Sequence, residues 1–496
     1  WPTSSWPTSS WPTSSWPTSS LYSPHPPSPH TGYAVTLAQI ALSTETDPSY
    51  RMLASVLTRQ AIEGHWTVHS RWYHPDNTVL GKEDKATLRE LLPVGLADDL
   101  PRIRGMTAAA IAIMASHDWP QDWPSVFDDL VGALASGEPK VVHGTLRCLE
   151  DFARTMKEDH MENAIPMLAE PLLAVFSNES GAYTARDQMR AIKIYSSCLA
   201  TLFHVKRADP NAAVSILGDS LPHFIEGAHA VLSLPDSPED DCGLKIEAIR
   251  LVNLVMLRYT TECAELVGPC LPLVWHSLES GTSPYTAALQ DGLPPPPRDS
   301  DGNVMGFEHQ LCSLFEAVNI MASRETFRPA LESSLSDLVS IIIVYAQLTD
   351  AQLSVWEDDP IQFVEDEDEM SVKRHSVRLA AVDLLAELLL ESQTGEAFCM
   401  QVVLSLARAA AAHLATADEL DAAGQADNAW RLREAVFYVM GRSSPELLAL
   451  LASGDLDFDI GGFLEHVLLP VLQTTDNPYL LGRALWLASL FAHAVP

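Results

Sequence analysis

The chain has 496 residues, 47% of them hydrophobic, and carries 65 Asp and Glu against 31 Lys and Arg, for a formal net charge of −34. That length exceeds what one compact core holds, so the chain either divides into domains or runs as an extended repeat array. Such acidity argues against direct contact with nucleic acid or an anionic membrane and favours basic protein partners drawn in by a long-range field, although acidic solubility alone accounts for the charge equally well. The seven cysteines include no CxxC pair, which suggests reduced, buried thiols of a cytosolic or nuclear protein. No apolar run reaches the ~18 residues of a membrane span, and the start lacks the basic and apolar regions of a signal peptide.

Residues 1–32 open with WPTSS four times over and continue into LYSPHPPSPH. This low-complexity stretch cannot bury a core and is expected to be disordered. The perfect repeat looks more like a translated repetitive tract than a working module. From Tyr33 to Pro496 the pattern is helical. Helices with a basic residue near the start and an Ala-rich apolar face recur: YRMLASVL at Tyr50, RIRGMTAAAIAIMA at Arg102, KVVHGTLRCL at Lys140 and RDQMRAIKIY at Arg186. They continue with LKIEAIRLVNLVM at Leu244, VRLAAVDLLAELL at Val377, RLREAVFYVM at Arg431 and YLLGRALWLASL at Tyr479. The recurrence interval, roughly 40 to 60 residues outside one wide gap, fits an all-α array of HEAT-type helix pairs. In the helix at Val377, the residues Val377, Ala380, Ala381, Leu384, Leu385, Leu388 and Leu389 form one apolar stripe; Leu379, Val382, Ala386 and Leu390 widen it, leaving Arg378, Asp383, Glu387 and Glu391 for polar contacts. Second helices are expected at Lys85 to Leu96, Pro124 to Leu134 and Asn163 to Phe176. SIIIVY at Ser340 has strand-like composition but sits in a longer helical pattern.

Two loops are expected to interrupt the array, near 280–303 and 351–373. The first contains Pro294 to Pro297, which excludes helix and favours an extended segment. The second contains WEDDPIQFVEDEDE, Trp356 to Glu369. Its eight carboxylates are Glu357, Asp358, Asp359, Glu365, Asp366, Glu367, Asp368 and Glu369, with no Lys or Arg among them. It lacks the ligand alternation and turn glycine of a calcium loop. Trp356, Pro360, Phe363 and Val364 punctuate the run and are expected to pin it to the scaffold, making it a contact surface rather than a free linker.

His65, His69 and His74 lie close together, and His65 and His69 would share a helix face if the segment stayed helical, but no Cys or carboxylate completes a metal set nearby. Phosphate-binding, nucleophile-elbow, HExxH and EF-hand patterns are all absent. The expectation is therefore a protein that is not an enzyme, with no cofactor and no metal. In HDWPQDWP, Asp118 and Asp122 suit helix caps and each Pro a first turn, while Trp119, Pro120, Trp123 and Pro124 suit a packed inter-helix corner.

DWPQDWPSVFDDLVGAL resembles the DWP-x-x-WP segment of nuclear transport receptors of the importin-β (karyopherin-β) superfamily. LASVLTRQAIEGHW, LRELLPVGL, SGEPKVVHGTLRCLEDF, DSDGNVMGFE, DPIQFVEDEDE and NPYLLGRALWLAS are similar, in the same order, to segments of its importin-9-like branch. The resemblance covers Tyr33 to Pro496 and implies the N-terminal half of such a receptor with an altered start. It also implies a right-handed superhelix of HEAT repeats, armadillo-like in its helical stacking, and a monomer that shuttles between cytoplasm and nucleus. The implied partners are Ran-GTP, nucleoporins and basic cargo such as core histones. By position, the acidic loop would meet Ran or cargo. Asp98, Asp99, Asp128 and Asp129 are the implied inner-helix contacts. A HEAT scaffold or histone chaperone without Ran dependence is the alternative.

Overall fold

The computed structural model describes residues 32–492 apart from 71, 76–77, 156–157, 206–214, 219, 296–297, 299–301, 303, 368–375 and 391–393. Helix follows helix from Tyr33 to Phe491, and among the described residues the only β pairing is one antiparallel bridge, Arg298 to Val304. The fold is all-α and built of HEAT-type helix pairs. Two compact units are present, one ending at Pro124 and one running from Ser125 to Pro496. The division falls directly after the Trp123-Pro124 step.

Local chemistry starts many of these helices. Pro48–His65 begins at Asp47, whose carboxylate accepts from the Ser49 N–H at 2.8 Å, with Pro48 in the first turn. Pro478–Phe491 repeats the device, Asn477 accepting from the N–H groups of Tyr479 and Leu480, each at 3.0 Å. Ser376 caps Val377–Leu388. In that helix Val377, Ala381, Val382, Leu384, Leu385, Leu388 and Leu389 are buried, whereas Ala386 and Leu390 face outward. Each fully buried Leu or Val side chain contributes roughly 1.5–3 kcal/mol.

The recurring basic residue has a structural task. The last carbonyls of a helix lack partners and form the negative end of its dipole. At several corners a buried Arg or Lys of a neighbouring helix donates to such a carbonyl or to one in the connection that follows the helix. Arg51 Nε donates to the Ala41 carbonyl at 3.0 Å. Arg104 Nη1 donates to the carbonyls of Asp98 and Asp99 at 2.6 and 3.2 Å. Lys245 bonds the Leu234 carbonyl and, at 2.6 Å, the Asp236 carboxylate. Arg378 bonds the Ala346 carbonyl, and Arg431 Nη1 donates to that of Leu348 at 2.8 Å. Arg378, expected on the polar face, is therefore a buried staple, because a charge at that position closes the corner behind it. At the equivalent point of Phe307–Ser323, buried Gln310 donates to Asp236 at 2.5 Å.

The second expected loop is corrected and the first is shortened, with residues 292–295 outside helix. Helix Thr282–Asp291 occupies much of the first; Pro296 and Pro297 lie outside the described residues. The second is largely two short helices, Asp350–Asp358 and Pro360–Glu367. A reciprocal capping box starts the first, Gln352 N–H donating to Thr349 Oγ1 at 3.3 Å and Thr349 N–H to Gln352 Oε1 at 3.1 Å. Pro360 then suits the first turn of the next. Local caps outweigh the charge repulsion that suggested a loop. The helix Glu396–Ala422 is, by length and composition, long and apolar enough to cross a membrane, although Arg408 divides its uncharged run. It is alanine-rich, and it packs against Leu335–Tyr345 and Ala426–Arg442.

Candidate functional site

Trp356 holds the acidic stretch together. Its side chain is only 5% exposed. Its indole N–H donates to Asp366 Oδ2 at 2.9 Å, and Gln362 Nε2 donates to the other Asp366 oxygen at 2.6 Å. Phe363 meets the indole edge-on at 5.0 Å, and Tyr479 lies 5.8 Å from it. Asp359 ends the first helix and its carboxylate accepts from the Ile361 N–H at 3.1 Å. Two of the predicted contact carboxylates, Asp359 and Asp366, thus also organise the stretch. Glu357, Asp358, Asp359 and Glu365 are exposed. So are Val355, Ile361 and Val364, the last two at 69% and 64%. The Glu367 side chain, Asp368 and Glu369 lie outside the described residues.

Beside this stretch opens a groove of about 630 Å³. Trp356, Pro360 and Phe363 form one wall; Tyr438, Tyr479 and Trp486, from Ala426–Arg442 and Pro478–Phe491, line the other. Gly441 permits the close approach of Trp486: a Cβ there would lie 2.1 Å from the indole. Arg442 and Arg483 bring positive charge to the lining. Beneath it, Glu434 is 1% exposed and accepts from Arg378 at 2.8 and 2.9 Å and from Arg483 Nε at 2.8 Å. Burial pushes the Glu434 carboxyl up, but Arg378 and Arg483 outweigh it and hold it below the usual carboxylate value. Both guanidinium groups lie 4.2 Å from the Tyr438 ring centroid. The Tyr479 hydroxyl is pushed up by burial and, secondarily, by the Glu357 carboxylate. A groove with aromatic walls and Glu434, Arg442 and Arg483 as its charged lining can hold a peptide segment; among the described residues that line it there is no nucleophile-and-base constellation.

The sequence pattern missed Tyr438, Tyr479, Trp486 and the Glu434 centre. The available signal was Glu434 itself, an acid amid the apolar residues of RLREAVFYVM.

The remaining candidates separate. Asp98 is not on an inner helix. It follows the short turn Leu92–Ala97, pairs with Arg51, and its Oδ1 accepts from the Leu100 N–H at 2.9 Å. With its side chain 7% exposed it is a structural acid. Asp99 is exposed and likewise lies in the connection before Pro101–Asp118. Asp128 and Asp129 are exposed in the first turn of Val126–Ala135, where carboxylates suit the helix dipole. Trp119 and Trp123 are 4% and 8% exposed, and the Trp119-Pro120 bond is cis. Asp118 does not cap a helix start. It ends Pro101–Asp118 and accepts from Trp66 Nε1 and Arg89 Nε, both at 2.9 Å. Lys85 and Arg89 lie over the buried Trp66 ring, and burial lowers the Lys85 pKa despite the opposing Asp118 charge. His65 closes its helix and its Nδ1–H donates to the Thr78 carbonyl at 3.1 Å, so His69 lies beyond the helix and the shared face does not form.

No family model matches the chain. Importin-9 of Drosophila melanogaster is 26% identical over 467 residues, which cover 93% of this chain and 44% of the relative. The exportin Cse1 in its cargo-free, cytoplasmic state superposes with a TM-score of 0.59 at 14% identity, covering 94% of this chain and 50% of Cse1. Kap95p, bound to RanGDP in one structure and to Nup1 in another, gives TM-scores of 0.55 and 0.53 at 14% identity, covering 93% of this chain and 51% of Kap95p. The chain thus spans about half the length of these relatives or less, and over its helical repeats it is similar to transport receptors of the importin-β superfamily.

Proposed function

We propose that this chain is part of a nuclear import receptor that shuttles between cytoplasm and nucleus. In this reading it carries basic cargo such as core histones, responds to Ran-GTP and contacts nucleoporins, working as a monomer without a cofactor. The observation that carries the reading is the acidic stretch at Trp356. It is anchored, and it presents Glu357, Asp358, Asp359 and Glu365 outward on a chain of net charge −34. The match to importin-9 over 93% of the chain supports transport as the setting, and the Ran and Nup1 complexes of Kap95p support those partner classes. The relatives are transport receptors by name, which agrees with a binding rather than a catalytic role. Exposed Asp128 and Asp129 remain candidate contacts for Ran.

The test is binding of GTP-loaded Ran and of core histone dimers to the purified chain at low and moderate salt. Salt-sensitive histone binding that Ran-GTP alters supports the reading. Histone binding with no Ran binding favours a Ran-independent chaperone or scaffold, which the same acidic surface would serve. Binding of neither excludes the receptor reading for this chain.

A further inference from the structure

The groove and the acidic helices beside it differ in electrostatic character. Among the described residues that line the groove, Glu434 is the one carboxylate, whereas Arg442 and Arg483 are both cationic. Glu434 is also fully engaged, taking two hydrogen bonds from Arg378 and one from Arg483. Two guanidinium groups against one carboxylate leave that centre with a positive surplus before Arg442 is counted. The Arg483 side chain is 10% exposed. It lies over two rings, 4.2 Å from the Tyr438 centroid and 5.0 Å from that of Trp486. A cation withdrawn this far from water is poorly screened, so its field within the groove exceeds that of the same charge on the surface. Opposing charge comes from outside the lining: the Tyr479 hydroxyl, pushed up first by burial, also feels the Glu357 carboxylate. An anion entering the groove is therefore turned away from Tyr479 and toward the guanidinium groups.

The walls decide what kind of anion fits. Trp356 and Phe363 face Tyr438, Tyr479 and Trp486 across a volume of about 630 Å³, within the roughly 300–1,000 Å³ of clefts that enclose a compact ligand. A hydrated inorganic ion would leave these rings in water, and a cation would meet Arg442 and Arg483. We infer that the groove binds a small, free aromatic carboxylate, its ring body held between the two aromatic walls and its anionic group directed at Arg442 and Arg483. The site is separate in charge from the acidic helices, so it stands whatever those helices contact.

Gly482 provides the first test. It lines the groove, and a Cβ built there meets nothing within 4 Å, so Gly482→Leu occupies the space without displacing its neighbours. Binding to the full chain is measured by isothermal titration calorimetry with three probes: naphthoate, its neutral isostere naphthamide, and the cation naphthylmethylammonium. Naphthoate should bind at a single site, about tenfold more tightly than naphthamide, and the cation most weakly. Gly482→Leu, with its circular dichroism and melting checked against wild type, should remove naphthoate binding. Arg442→Gln should narrow the preference for naphthoate over naphthamide by about threefold or more, and unchanged naphthamide affinity in that variant shows the groove is intact. Exposed Glu357 gives a third variant of opposite sign: Glu357→Gln removes the opposing charge and should tighten naphthoate. Naphthoate binding no tighter than naphthamide, no naphthoate binding by roughly 1 mM, or full binding in Gly482→Leu overturns the inference. So does a preference that Arg442→Gln leaves unaltered, or weaker naphthoate binding in Glu357→Gln.

Discussion

Replacing Glu434 by Gln preserves the side chain's shape and removes the one carboxylate between two buried guanidinium groups. In the native protein Glu434 is 1% exposed and takes three hydrogen bonds, two from Arg378 and one from Arg483. The Arg378 side chain is 3% exposed and also serves the Ala346 carbonyl. Removing one partner of such a pair strands charge in a medium that solvates it poorly, and costs about 3–5 kcal/mol. Repeat arrays need not unfold as one cooperative unit, so the informative assay is amide hydrogen exchange resolved by helix. Protection should fall by about a hundredfold or more in Val377–Leu388, Ala426–Arg442 and Pro478–Phe491, and little in Val126–Ala135. The pH dependence has a definite sign. The folded-state pKa of Glu434 lies below its ordinary value, so its stabilisation is complete above the unfolded value of about 4.3 and is lost as pH falls through the lower folded value. The gap between wild type and Glu434→Gln should stay constant from neutral pH to about 5 and close in stronger acid. A cost under about 1 kcal/mol, or a gap that widens in acid, would refute the argument.

Other perturbations test separate contacts. Trp356→Ala should cost about 3–5 kcal/mol locally, seen as faster exchange across Asp350–Asp358 and Pro360–Glu367 with distant helices unchanged. Gly441→Ala drives a Cβ to 2.1 Å from Trp486 and should lower thermal stability by about 1–3 kcal/mol of overpacking, partly offset by ~1 kcal/mol of helix propensity; Gly482→Ala, with open space, should be neutral or stabilising. Asp118→Asn keeps an acceptor for Trp66 but loses the charge that Arg89 requires, so denaturant unfolding of the Pro124-terminated unit should report about 1–3 kcal/mol. Neutralising Glu357, Asp358 and Glu365 should leave melting within about 0.5 kcal/mol of wild type while flattening the salt dependence of basic-protein binding.

Periodicity exposed the fold because each helix must bury one face, and that constraint is written in residues three and four apart. The basic residue near each helix start was equally visible, but its partners were not. Arg378 reads as polar surface until Ala346 and Glu434 are seen to converge on it from positions 32 and 56 residues away. The acidic stretch misled in the opposite direction. Its charge density suggested a loop, whereas the Thr349–Gln352 capping box and Pro360 were local helix signals present in the same residues. The expectation that Trp356 and Phe363 pin the stretch came from their apolar character, yet the groove they help to line depends on Tyr479 and Trp486, more than a hundred residues further on. Side chains distant in sequence meet only through the stacking of helix pairs, which no local pattern encodes. Asp98 is drawn inward for the same reason: its carboxylate accepts from Arg51 of an earlier helix.

The corner staples also change how the net charge should be weighed. A buried pair removes one cation and one carboxylate from the surface together, so it leaves the difference of −34 untouched while raising the ratio of exposed acids to exposed bases above 65 to 31. Arg51 with Asp98 and Lys245 with Asp236 are such withdrawals, and Glu434 takes two cations, Arg378 and Arg483, for one carboxylate. Fewer intramolecular cations are then left to compete for the exposed carboxylates. Between Glu357 and Asp366, most of the carboxylates are exposed, and the described internal bonds fall on Asp359 and Asp366. Each exposed ion pair contributes at most about 1 kcal/mol, so a basic partner gains affinity only by meeting several carboxylates at once. An acidic stretch held in fixed register by Trp356 and two short capped helices meets that condition without the ordering cost a free acidic tail would incur.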